Sequence, residues 1–115
     1  FPDADILPSQ AWEQAQAVSI LAWCSSGIHP FLSRINLPVK VSDVDGTSKS
    51  VVRLASEALN ECFAIADNLL AGSEFFFDNF SAPDAHFFWC TRRATQLNFD
   101  NSSYPNVIAH FERMI

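Results

Sequence analysis

A chain of 115 residues, 49% of them apolar and with eleven Phe and three Trp, has the material for one packed domain and does not have the composition of a disordered segment. Its net charge of −6 and its one adjacent basic pair, Arg92-Arg93, argue against a nucleic-acid partner, because holding phosphates takes clustered Lys and Arg. No apolar run approaches the ~20 residues of a membrane span, so no membrane partner is expected, and the first eight residues, FPDADILP, have neither the basic nor the apolar region of a signal peptide.

Three Gly and no alternation of apolar and polar residues leave no strand-and-turn rhythm. The periodicity predicts an all-α fold of about four helices. The first runs from about Ser9, a candidate cap after Pro8, to Asn36, with an apolar face at Ala11, Ala15, Val18, Leu21 or Ala22, and Cys24. Pro30 lies inside it and predicts a bend near His29. A polar loop over 37–46 leads to a second helix from Thr47 or Ser48 to Ala71. Its stripe is Val51, Ala55, Ala58, Leu59, Cys62, Ala66, Leu69 and Leu70, and Gly72 stops it.

After the aromatic connector 73–80, the third helix starts at Ser81 and runs to about Leu97. Ser81 and Asp84 have the spacing of a capping box, with Pro83 in the first turn, where its missing N–H is no loss. Phe87, Phe88, Cys90, Thr91 and Ala94 follow, which predicts a central, mostly buried helix. Pro105 opens the last helix. Val107, Ile108, Phe111 and Ile115 give its apolar side, and the pattern runs to the final residue without a stop signal, as at a fragment boundary.

Cys24, Cys62 and Cys90 are odd in number, form no Cys-x-x-Cys and sit in apolar helical segments. They read as reduced core thiols, which implies a cytoplasmic protein. With His29, His86 and His110 they show none of the usual ligand spacings, so no metal site is expected. Ser81 and Asp84 are accounted for by capping, and nothing in the sequence brings a His to them, so a Ser–His–Asp nucleophile is not expected either.

The stretch from Gly72 to Ala85, GSEFFFDNFSAPDA, resembles the signature of the C-terminal all-helical domain of glutathione transferases: an aromatic lead-in, then Phe-Ser-x-Ala-Asp opening the central helix. Here Pro83 replaces the usual Ala, the lead-in is one Gly shorter, and Ala85 is a small partner for the staple residue Phe80. The run SYPNVIAHFERM over 103–114 is similar to the family's last helix. Leu7-Pro8, Trp12, Leu21-Ala22-Trp23 and Ile28-His29-Pro30 look like the first helix of bacterial, beta-like members. The resemblance covers nearly the whole chain.

It implies a glutathione-transferase-like helical domain over 9–115, residues 1–8 as a remnant of the interdomain linker, and a thioredoxin-like domain outside this chain. The parent would conjugate glutathione to electrophiles or reduce disulfide-like substrates. This domain would supply a hydrophobic wall of the substrate pocket and contacts of a homodimer. The catalytic residue would lie in the missing domain, so this chain alone holds none and binds no cofactor, glutathione being the parent's co-substrate. His29 matches a histidine that faces the active site in beta-like enzymes, and Arg93 lies where they carry an aromatic residue near the pocket, so both are expected to bind glutathione or substrate. If so, His29 is exposed on the face that carries Arg93. If it is only a bend residue, its ring is buried against a freed carbonyl. Trp23 and Trp89 are either core or pocket lining. The other reading is a non-catalytic, glutathione-transferase-like interaction module.

Overall fold

The computed structural model describes residues 2–115; of the segment read as a linker, Phe1 lies outside the described residues. Helix α1 spans Ala11–Trp23, α2 His29–Asn36, α3 Ser48–Leu69, α4 Ala82–Gln96 and α5 Pro105–Met114, with short 3-10 turns at Pro2–Ala4 and Pro38–Lys40. There is no strand among the described residues, and the fold is all-α.

The first predicted helix is two helices joined by a π-helical turn, Cys24–Ile28. The widening begins before Pro30, not at it. A proline ring collides with the carbonyl four residues back, and a wider turn moves that carbonyl aside: the His29 N–H bonds the Cys24 carbonyl, five residues away. The hydroxyls of Ser25 and Ser26 donate to the carbonyls of Leu21 and Ala22 at 3.1 and 2.7 Å. Gly27 is needed here, because a Cβ would stand 2.6 Å from Cδ1 of Trp23. α1 itself starts at Ala11, and Gln10, not Ser9, precedes its first turn.

The inward face of α1 also differs from the expected one. Ala17 is buried and Ile20 half-buried, while Ala11, Ala15 and Val18 are exposed. The segment carries apolar residues on every side, so its periodicity does not single out a face. In α3 the buried stripe is Ala55, Leu59, Cys62, Phe63 and Ala66, carried on by Leu70 just past its end; Phe63, absent from the expected stripe, is fully buried, and Leu69 is half-exposed. α3 stops at Leu69, with Gly72 following at φ +72°.

α4 packs against α1, the π turn, α2 and α5. It is buried along one face, Pro83, Asp84, Phe87, Cys90, Thr91 and Ala94, while Trp89 is 41% exposed. The rings of Phe63 and Phe87, centroids 5.8 Å apart, join α3 to α4 in the middle of the core. On α5 the buried residues are Val107 and His110. Ile108 and Phe111 are half-buried and Ile115 exposed, so the buried face is turned from the one read in the sequence.

Candidate functional site

Residues three, four and seven apart share one face of a helix. On α2 that face presents His29, Leu32, Ser33 and Asn36; on α4 it presents Trp89, Arg93 and Gln96. The two faces line an open groove of about 420 Å³. His29 is exposed, and its ring meets Trp89 edge-on at 4.9 Å. Among the described residues no backbone carbonyl holds it. Arg93 is half-buried, with Nη1 donating to Oε1 of Gln96 at 3.3 Å. Among the described residues Arg93 has no carboxylate partner, the basic side chains that do being Arg53, on Glu57, and His110, on Asp84. The Trp89 ring also lies 6.5 Å, centroid to centroid, from that of His86. Burial, and then the neighbouring His29, push the His86 pKa below its ordinary value.

Leu32 and Trp89 are the apolar members of this wall; its other side chains are an imidazole, a hydroxyl, two amides and a guanidinium. The groove is more polar than the hydrophobic wall expected. Trp23 is half-buried against the core beside Gly27 and takes no part in it.

Ser81 and Asp84 form a capping box at the start of α4. The Ser81 N–H donates to Oδ2 of Asp84 at 2.9 Å, and the Ser81 hydroxyl lies 3.2 Å from the same oxygen. The other oxygen, Oδ1, accepts from the Phe76 N–H at 3.1 Å and from Nε2 of His110 at 3.0 Å. A histidine therefore does join this pair, against expectation. Yet all three side chains are buried, and Ser81 is directed at the carboxylate, so there is no exposed nucleophile with a base behind it. The other ring nitrogen of His110, Nδ1, is buried and has no hydrogen-bond partner among the described residues. The sequence signal for His110 was its place three residues after Val107, on the inward face of α5.

Cys24, Cys62 and Cys90 are buried and unbridged. A hydrogen bond with Cys24, and then burial, hold the Cys90 thiol far above the usual thiol range; burial, and then Glu61, raise Cys62. Both are poor nucleophiles in this state. Among the described residues no group of three or more His, Cys, Asp or Glu is placed to hold a metal ion, and no helix is long and apolar enough to cross a membrane.

Residues 24–115 match the family model described as glutathione S-transferase, C-terminal domain. No curated protein matches the sequence. Solved structures with a similar fold include BphK, a bacterial glutathione transferase in a ternary complex, at TM-score 0.82 and 19% identity over 98% of this chain and 54% of that one. A glutathione transferase homologue from Sulfitobacter, with bound glutathione, gives 0.84 and 16% over 98% and 55%. The holo form of maleyl pyruvate isomerase, a bacterial zeta-class glutathione transferase, gives 0.79 and 19% over 99% and 56%. The chain thus spans about half the length of each.

Proposed function

Since the chain belongs to the glutathione S-transferase C-terminal domain family, we propose that it is the helical half of a glutathione transferase and that the groove between α2 and α4 faces glutathione and the second substrate. The observation that carries this reading is the convergence of His29, Trp89 and Arg93, from two helices, on one open groove. In this reading the thioredoxin-like half is the chain's first partner, residues 1–8 are what remains of the linker to it, and 9–115 are the helical domain. The parent is a cytoplasmic homodimer that conjugates glutathione to small electrophiles or reduces disulfide-like substrates.

No residue of this chain is assigned the chemistry. His29 donates a hydrogen bond to the thiolate or to a peptide carbonyl of glutathione. Arg93, without a carboxylate partner among the described residues, pairs with a carboxylate of the tripeptide. Trp89 offers a flat apolar face to the electrophile.

The test is steady-state kinetics of the full-length polypeptide against a panel of electrophiles and mixed disulfides. His29→Ala and Arg93→Ala should each raise KM for glutathione roughly two- to tenfold, the worth of one hydrogen bond of ~0.5–1.5 kcal/mol. Unchanged KM and rate in both variants would remove the groove from the site. No glutathione-dependent turnover of any substrate would favour the interaction module.

A further inference from the structure

His86 stands one turn before Trp89 on α4. Residues three and seven apart fall on one helix face, so His86, Trp89 and Arg93 form a single row that runs into the groove between α2 and α4. His86 itself is not among the side chains that line the groove. It is half-buried at the start of the row, next to Trp89.

The pose of Trp89 depends on few neighbours. Its indole is 41% exposed, whereas Trp23 is half-buried against the core. Among the described residues its aromatic neighbours are two imidazoles: His29 at 4.9 Å with the planes 66° apart, and His86 at 6.5 Å with the planes 62° apart. Both contacts are edge-to-face, an arrangement that aromatic pairs favour. The two supports are unequal. His29 is exposed and comes from another helix. His86 is half-buried and shares the helix of Trp89. Burial, and then His29, lower the His86 pKa, so near neutral pH it is an uncharged ring that can lie against an indole without drawing water to it. The share of that shift due to His29 also places the two imidazoles within each other's field, on the same stretch of wall.

We propose that His86 is a positioning residue of the groove: it sets the pose of the Trp89 indole, and through the indole the fit of a flat second substrate. The proposal rests on the reading of the groove as the site for glutathione and the electrophile. His86 touches neither substrate and takes no part in the chemistry. Its effect is confined to what the indole touches, so it acts on the electrophile and not on glutathione.

The experiment has two arms. In the 115-residue chain, nuclear Overhauser contacts between the Trp89 indole and the His29 ring report the pose. They should weaken several-fold in His86→Ala and persist in His86→Phe, which puts a ring back. His86→Gln, which keeps more of the volume, serves where His86→Ala is unfolded. In the full-length polypeptide, steady-state kinetics use a nitro-activated aryl chloride as the electrophile. His86→Ala should raise KM for that electrophile about two- to tenfold, the worth of one aromatic pair, and leave KM for glutathione unchanged. His86→Phe should restore it. In a Trp89→Ala background the same replacement should change nothing, because the group it acts through is gone. The proposal fails if the indole–imidazole contacts survive the loss of the ring, or if KM for the electrophile does not move. It fails too if KM moves equally in the Trp89→Ala background, which would make His86 a merely structural residue. A full-length polypeptide without glutathione-dependent turnover would overturn the reading of the groove and not the pose, which the Overhauser contacts still decide.

Discussion

At Asp84 one buried carboxylate accepts from the connector at Phe76, from the helix start at Ser81 and from His110 on α5. Removing it leaves those donors facing an apolar interior. Asp84→Ala should cost about 3–5 kcal/mol, the range for breaking a buried pair by deleting one partner. Urea unfolding would show this as a lower midpoint at an unchanged slope. Half of the arrangement is readable in the sequence, because Ser-x-x-Asp with a proline between is a local motif. The His110 half is not, because the contact spans 26 positions and depends on which way α5 is rolled.

His86 carries a pH prediction. Its pKa is lowered by burial and by His29, so the unfolded chain binds this proton more readily than the folded one does. Stability is therefore highest above the unfolded value of ~6.5 and declines as pH falls below it. Tm measured from pH 7.5 to 5 should fall with acid less steeply in His86→Gln than in the parent chain.

Among the elements, α5 is started by a residue that is not its own. Oδ1 of Asp67, on α3, accepts from the N–H groups of Asn106 and Val107 at 2.8 and 3.1 Å, and the Asn106 amide donates back to Asp67. The Tyr104 hydroxyl donates to Oδ1 of Asn60, two turns back on the same face of α3. Tyr-Pro-Asn thus couples a tether, a φ preset for the first turn and a bond to a borrowed cap. Asp67→Ala should cost about 1–3 kcal/mol and speed hydrogen exchange at the Asn106 and Val107 amides before it affects those of α3. Starts and stops were the readable part of these helices. Ser81, Gly72 and Pro105 mark them by local chemistry. Faces were readable only where polar residues mark the outside, as on α3; α1 carries apolar residues on every side among Glu13, Gln14, Gln16 and Ser19, and its inward side is set by what packs on it.

The whole molecule is long for its size. Its extents are 52 × 27 × 22 Å and its radius of gyration is 15.4 Å, against about 13 Å for a compact chain of this length. Its accessible surface of 7162 Å² exceeds the roughly 6,300 Å² expected for a monomer of this mass. Part of the excess is apolar: Trp12 is 73% exposed and Val18 55%. An interface within a longer chain would cover a surface of this order, about 600–1,500 Å². With no such cover the chain should self-associate, seen in sedimentation velocity as a weight-average mass that rises with concentration. A strict monomer up to high concentration would show that the exposed rows tolerate water.

The π turn between Trp23 and His29 has an angular consequence. An α-helix advances about 100° per residue, and a five-residue step fits one more residue into the turn. The azimuth of His29 toward Trp89 is therefore a matter of residue count as much as of residue type. Deleting one position from Cys24–Ile28 would swing the imidazole about a quarter-turn off the groove without altering a single side chain that lines it. Inserting one would turn it the other way.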